Sequence, residues 1–361
     1  MPITKLTNPI VALSGGVDSA VAALLLKQQG HQVEAIHMSN WEDEDGYCSA
    51  AEDLQFAKQF CEQNDIVMHQ INLEESYKNE VFTKFIDLLK KGYTPNPDIG
   101  CNTYIKFGEL KNYSKKLGGG CLVTGHYANI IEQNNRIELH LAEDQNKDQT
   151  YFLHDLCQDQ LQNVFFPLNK IDKNEVRNIA NKHVLPMANR KDSTGICFIG
   201  ERPFNDFLLK YIKKKPGYII DIKGNIVGEH IGLPFYTIGQ RHGLHIGGVK
   251  GAVEKPWYVA EKNHESNELL VVQGTDHPRL YQSNLIAKDM NWINGIDESL
   301  NSAHARIRHR QELQACTFQI QSDSRVLVNF NSPQRAVTPG QYIVFYDGSR
   351  CLGGGTIDFH S

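Results

Sequence analysis

An apolar tetrapeptide, Ile10–Leu13, runs into Ser14-Gly15-Gly16-Val17-Asp18-Ser19, and an apolar helical pattern follows from about Ser19 to Gln29, stopped by Gly30. No other feature constrains the fold as much. Two adjacent glycines allow a tight turn and bring backbone N–H groups close to an anion. Ser14 and Ser19 add hydroxyl donors, and a helix start adds a favourable dipole. Strand, glycine turn and helix in that order predict a phosphate cradle at the carboxyl end of a strand in an open sheet. The loop is not a Walker A loop, because no lysine follows the glycines.

The alternation continues. Val33–His37 reads as a strand, Ser49 and Glu52 as a capping box opening a helix to Gln63, and Ile66–Ile71 as a third strand. Tyr77–Leu89 and Tyr104–Leu117 read as helices, and Cys121–Thr124 as a fourth strand, with Met38 and Gly125 at strand ends beside the loop. Such alternation predicts an α/β class with a parallel sheet covered on both faces. The character changes after about Glu201. Phe204–Lys214 is one more helix, and then short β-branched segments follow, separated by Gly, Pro and Asn: Tyr218–Ile222, Trp257–Glu261, Leu269–Gln273, Leu313–Ile320, Arg325–Asn329 and Gln341–Tyr346. These predict small mainly-β modules. The expected division is a catalytic domain at 1–203, a central mainly-β domain at 204–281 and a C-terminal barrel-like domain at 282–361; 361 residues suit two or three domains.

No apolar run approaches the roughly 18 residues of a membrane span, and Met1–Asn8 has no apolar targeting core, so a cytoplasmic chain is expected. Eight cysteines include no C-x-x-C pair, which argues against a structural zinc site. Cys61, Cys121, Cys157, Cys316 and Cys351 read as buried small hydrophobes, and Cys48 as lying in a polar loop. The net charge of -5 is unusual for a nucleic-acid binder, which would then need local basic patches. Two candidates are Lys210 with Lys213–Lys215, and Arg306, Arg308 and Arg310 with His304 and His309.

Ser14–Ser19 resembles the pyrophosphate loop of the N-type ATP pyrophosphatases, which cleave ATP between the α and β phosphates. Four further segments extend the resemblance: Asn96-Pro97-Asp98-Ile99-Gly100-Cys101-Asn102, Gly125-His126-Tyr127-Ala128, Lys147-Asp148-Gln149-Thr150-Tyr151 and Asp192–Arg202 with Cys197. Together with Thr237–Arg241 and Thr338–Gln341, they make the chain similar to the bacterial tRNA-specific 2-thiouridylases over essentially its whole length. That family often carries a bulkier residue where this chain has Gly100.

The resemblance implies ATP, with Mg2+ that Asp18 helps organise, held by Ala12, Leu13, Ser14, Gly15, Gly16, Val17, Asp18, Ser19, Met38 and Gly125. It implies a tRNA whose target base meets Asn96, Pro97 and Asp98. Further tRNA contacts fall to His126, Lys147, Asp148, Gln149, Arg308, His309 and Gln341. Cys197 would carry a persulfide sulfur from an upstream relay protein or cysteine desulfurase, that sulfur would attack C2 either directly or after Cys101 frees it as hydrosulfide and pairs with Cys197, and Asp98 would act as acid or base. The substrates implied are wobble uridines of Lys, Glu and Gln tRNAs. The residues themselves agree: only cysteine forms a persulfide, and Cys101 and Cys197 both stand in Gly- and polar-rich segments that read as loops. Two rivals remain: an ATP pyrophosphatase that amidates a small molecule, and a tRNA-binding module with a vestigial loop. ATP consumption that depends on tRNA separates them.

Overall fold

The computed structural model describes residues 6–41, 50–191, 203–247, 255–297 and 299–359. The first part supplies β1 (Pro9–Ala12), β2 (Glu34–Ser39), β3 (Val67–Asn72) and β4 (Cys121–Val123), then a hairpin, β5 (Asn129–Gln133) and β6 (Arg136–His140), then β7 (Val164–Phe165). All but the hairpin form one parallel sheet in the order β3-β2-β1-β4-β7. Helix α1 (Val17–Gln28) is buried nearly all round, through Val17, Ala20, Val21, Ala23, Leu24 and Leu26. It lies between the sheet and the helix Lys173–Lys182, whose Val176 and Ala180 join the same apolar cluster. Gly30, at φ +85°, ends α1 as expected, with His31 N–H returning to Leu26 O at 3.1 Å. Helix α2 (Ala50–Gln63) follows β2; the Ser49 end of the expected capping box lies outside the described residues.

A second sheet, β8 (Gly217–Ile220), β9 (Ile226–His230), β10 (Trp257–Asn263) and β11 (Glu268–Gln273), has the order β10-β11-β8-β9. The third is built from β12 (Tyr281–Trp292), β13 (Ser302–Arg306), β14 (Gln314–Ile320), β15 (Val326–Arg335), β16 (Tyr342–Asp347) and β17 (Arg350–Ile357). Strand β12 pairs with both β15 and β17, so the six strands close into a barrel and leave no open edge there. The α/β sheet followed by β modules is the architecture expected from the sequence. The hairpin is the surprise: Leu139 pairs with Cys351 and His140 with Arg350, so the first part of the chain extends the barrel's own sheet. Among the described residues, no helix is long and apolar enough to cross a membrane.

Helix boundaries differ where they matter. The helix expected from Tyr77 begins at Glu74 and includes a π turn, Lys78–Phe82, before Thr83–Lys90. The helix expected from Tyr104 begins at Pro97, widens into a π-helical stretch, Cys101–Leu110, and ends at Lys116. Asn96 causes the early start: its side chain accepts Asp98 N–H at 3.1 Å, and Pro97 takes the first helical position, where a missing N–H costs nothing. The helix expected over Phe204–Lys214 is regular only over Phe204–Leu208, although Ile212 N–H still reaches Leu208 O at 2.8 Å.

Candidate active site

The loop after β1 is held in shape by its own hydroxyls. Ser14 N–H donates to Ser19 Oγ at 3.2 Å, Gly16 N–H to Ser14 Oγ at 3.3 Å, and Ser19 Oγ donates to Gly16 O at 3.1 Å. Gly15 adopts φ +84°, and the space of a side chain there is filled by the backbone of Asp53. No side chain caps the start of α1 at Gly16. The loop therefore offers an anion the free end of a twelve-residue helix. Arg190 closes the far side: it donates to Gly15 O at 3.3 Å and pairs with Asp53, and its guanidinium lies 5.1 Å over Phe56.

The Gly125–Ala128 segment keys into this loop. A Cβ at Gly125 would stand 2.7 Å from the backbone of Asp18 and Ser19, so only glycine allows β4 to end against the loop. Tyr127 OH donates to Asp18 Oδ1 at 2.9 Å, and Lys173 Nζ donates to the same oxygen at 2.6 Å. Tyr127 also exchanges bonds with Gln149: its N–H meets Gln149 Oε1 at 3.0 Å, and Gln149 N–H meets Tyr127 O at 2.8 Å. Two motifs far apart in the chain thus brace one loop.

Asn96, Pro97 and Asp98 open the helix that carries Cys101. This corrects the loop reading: Cys101 is helical and 3% exposed. Its neighbours are the reason. It joins a cluster with Ile10, Ile36, Val81, Phe82 and Phe85, against which Ala12 and Met38 pack. The helix therefore shares the apolar layer on the face of the sheet opposite α1, which packs instead with Val11, Leu13 and Ala35. Asp98, three residues before the thiol, is half-buried, and burial pushes its carboxyl up against the opposing pull of Lys106. The segment before Asn96 is clamped from two other parts of the chain. Thr94 N–H donates to Pro339 O at 2.8 Å, Gln341 Nε2 donates to Thr94 O at 2.7 Å, and Lys262 Nζ lies 3.5 Å from Thr94 Oγ1. Gly340, at φ +91°, permits this approach, since a Cβ there would meet Thr94 N at 2.6 Å.

The remaining expected contacts fall into two kinds. Arg308 is exposed, His309 and Lys147 are half-buried, and His309 Nε2 lies 3.0 Å from Asp148 O with its ring 4.5 Å from Phe152. Asp148 and His126 are interior. Asp148 is 1% exposed; its carboxylate accepts Ala142 N–H at 3.0 Å and Thr150 Oγ1 at 2.6 Å, and lies 3.6 Å from Arg306. The His126 ring is buried between Phe107 and Phe166, 2.7 Å from Thr124 Oγ1, and burial holds its pKa well below the usual imidazole value. Cys197, the rest of Asp192–Arg202 and Cys48 lie outside the described residues. Cys61, Cys121, Cys316 and Cys351 are buried as expected, whereas Cys157 is exposed, because it caps the short helix Gln158–Leu161 at the surface.

Comparison with known proteins adds three sequence-family matches: a "tRNA methyl transferase HUP domain" over residues 7–201, a "tRNA methyl transferase PRC-barrel domain" over 205–273 and an "Aminomethyltransferase beta-barrel domain" over 282–357. Full-length relatives decide between these names. A tRNA-specific 2-thiouridylase of Pseudomonas fluorescens is 49% identical over 98% of this chain and 95% of its own length. That of Vesicomyosocius okutanii is 49% identical over 99% of both. The chain belongs to the tRNA-specific 2-thiouridylase family. Among solved structures, a 4-thiouridine synthetase–RNA complex with bound ATP matches at 16% identity and TM-score 0.35, over 56% of this chain and 50% of that one; so distant a likeness carries no functional weight.

In this thiouridylase, sequence reasoning did not single out Tyr127's link to Asp18, nor Lys173, Arg190 and Lys262. Tyr127 stood inside a quoted motif, so a signal was present. The three cations gave none: each reaches the site from a distant part of the chain, and no local spacing marks that.

Proposed function

We propose that the chain replaces the C2 oxygen of a tRNA uridine with sulfur, using ATP to activate that oxygen. The observation that carries this is one juxtaposition: the helix of Asp98 and Cys101 shares an apolar cluster with residues of β1 and β2, and β1 runs directly into the Ser14–Ser19 loop. A urea-like carbonyl is a poor electrophile and oxide cannot leave, so adenylation followed by loss of AMP divides a hard step into two easier ones. In this reading Ala12, Leu13, Ser14–Ser19, Met38 and Gly125 hold the nucleotide. The uncapped end of α1 fits its phosphates. Mg2+ would accompany the phosphates beside Asp18. Among the described residues, no group of three His, Cys, Asp or Glu stands together as a metal site.

Asn96–Asp98 receive the flipped-out base, and Asp98, with its raised pKa, handles the proton. Sulfur arrives as a persulfide on Cys197, delivered by an upstream relay protein or cysteine desulfurase. Cys101 attacks the inner sulfur of that persulfide, the two cysteines join as a disulfide, and the released hydrosulfide adds at C2 as AMP leaves. An external reductant then restores both thiols. Cys101 being interior, its helix or its surroundings must shift in that cycle. Lys147, Gln149, Arg308, His309 and Gln341 belong to the tRNA side. Asp148 and His126 serve it indirectly, by fixing the backbone around them. Residues 1–203, 204–281 and 282–361 divide the work into chemistry, linkage and grip on the anticodon arm.

Cys101→Ser is expected to keep tRNA-dependent release of pyrophosphate while 2-thiouridine, and the AMP released with it, fall below detection. Parallel assays of pyrophosphate and of thiolated nucleoside check this. Undiminished thiolation in the variant would remove Cys101 from the chemistry, and AMP release indifferent to tRNA in the parent enzyme would favour a small-molecule substrate.

A further inference from the structure

We infer that Arg308 and Arg335 together grip one phosphate of the bound RNA, at the seam between the middle sheet and the barrel. The inference rests on the tRNA reading above and assigns Arg335 and the Thr237–Arg241 motif a place in it.

Arg335 ends β15, and its guanidinium lies 5.1 Å over the ring of Tyr258, on β10 of the middle sheet. Its Nη1 also lies against Gly239: a Cβ there would stand 3.7 Å from that nitrogen and 2.6 Å from Ala336. The turn bearing Gly239 is itself fixed to β10, with Gly239 N–H donating to Val259 O at 2.8 Å and Val259 N–H to Gln240 O at 3.0 Å. So the turn bearing Gly239 and the ring of Tyr258 both lie against this one guanidinium.

A glutamine relay ties the segment that bears the second arginine, Arg308, to the end of β15. Ile307 N–H donates to Gln311 Oε1 at 2.8 Å, and Gln311 Nε2 donates at 2.7 Å to Gln334 Oε1, on the buried neighbour of Arg335. Arg308 sits inside this tether and is exposed. Partial burial, and then the charge of Arg335, push its pKa down.

Among the described residues, neither Arg308 nor Arg335 has a carboxylate at ion-pair distance. Other arginines of this acidic chain do: Arg190 with Asp53, Arg306 with Asp148, Arg325 with Asp323 and Arg350 with Glu138. Two guanidinia on segments tied together, one seated on Tyr258 and neither facing a carboxylate, suit an anion, and the planar fork matches phosphate.

The test is binding of an unmodified tRNA transcript over a salt series, with the parent protein, Arg308→Ala, Arg335→Ala, the double variant and Arg335→Lys, each checked for an unchanged thermal midpoint. Loss of one phosphate contact lowers the log–log salt slope by about 0.7 to 0.9. Because one phosphate is shared, the double variant is expected to lose about that much and no more, and Arg335→Lys to keep the parent slope. Parent-like affinity and slope in folded Arg335→Ala would overturn the inference and leave an acidic protein segment as the alternative occupant. A double variant that loses two contacts' worth of slope, or a folded Arg335→Lys that behaves as Arg335→Ala, would overturn it too. If the parent itself shows no salt-dependent binding to tRNA, the functional reading fails first.

Discussion

Asp18→Ala is expected to lower tRNA-dependent release of AMP and pyrophosphate by roughly 100-fold or more, the scale seen when one preorganised electrostatic contact is removed from a reacting centre. The carboxylate stands in the first turn of α1 and receives Tyr127 OH and Lys173 Nζ on one oxygen. Without it, Lys173 loses this contact with the loop, and the brace from Tyr127 to the loop is gone. The protein itself should remain folded. The Asp18–Lys173 pair is partly open to water, with Asp18 34% exposed, so its loss costs stability no more than about 1 kcal/mol. Asp18→Asn separates charge from shape, since an amide oxygen still accepts from Tyr127. AMP release by folded Asp18→Ala at the parent rate would show that the loop is not the nucleotide site.

The second large effect concerns stability. Arg306→Met is expected to destabilise the protein by about 3 to 5 kcal/mol at neutral pH, the usual cost of removing one partner of a buried ion pair. Asp148 and Arg306 are both interior, and the pair joins the segment before Thr150 to the barrel, where Thr150 Oγ1 lies 3.1 Å from Tyr346 OH and the guanidinium lies 4.8 Å over the Tyr346 ring. The pH dependence has a definite sign. Burial already raises the Asp148 carboxyl, against the pull of Thr150, Ala142 N–H and Arg306. Removing the guanidinium raises it further. A carboxyl raised in the folded state loses stability as pH climbs from its unfolded value, about 3.9, through the folded one. The deficit of Arg306→Met relative to the parent should therefore shrink as pH is lowered from 7 toward 5. Adding Asp148→Asn should recover much of the loss at pH 7, because no buried charge then remains. Denaturant unfolding at two pH values checks both statements; a deficit that is small, or that grows toward acid pH, would contradict them.

Much of this fold can be read locally. The alternation of buried strands with helices up to β4 follows from period and punctuation, and so does the loop after β1. The hairpin β5–β6 cannot be read so: its strands are short, and the partner that gives them meaning, β17, comes at the other end of the chain. Cys101 was misplaced for a different reason. Its Gly- and polar-rich surroundings read as a loop, yet Asn96 followed by Pro97 is equally a helix start, and that signal decided the structure. That Asp148, expected at the tRNA, is interior could not be read from the sequence, because its counter-charge, Arg306, is remote in the chain. The alternating arginines were legible as a cluster but not as to side: Arg306 is the last residue of β13 and points inward to Asp148, whereas Arg308 lies beyond the strand and is exposed.

Nucleoside mass analysis of tRNA after incubation with the enzyme, ATP, a sulfide source and reductant tests the central claim most directly. The account predicts 2-thiouridine at the anticodon wobble position, one AMP and one pyrophosphate released for each sulfur installed, and neither product without tRNA. ATP cleaved to AMP and pyrophosphate while every uridine keeps its C2 oxygen would contradict it.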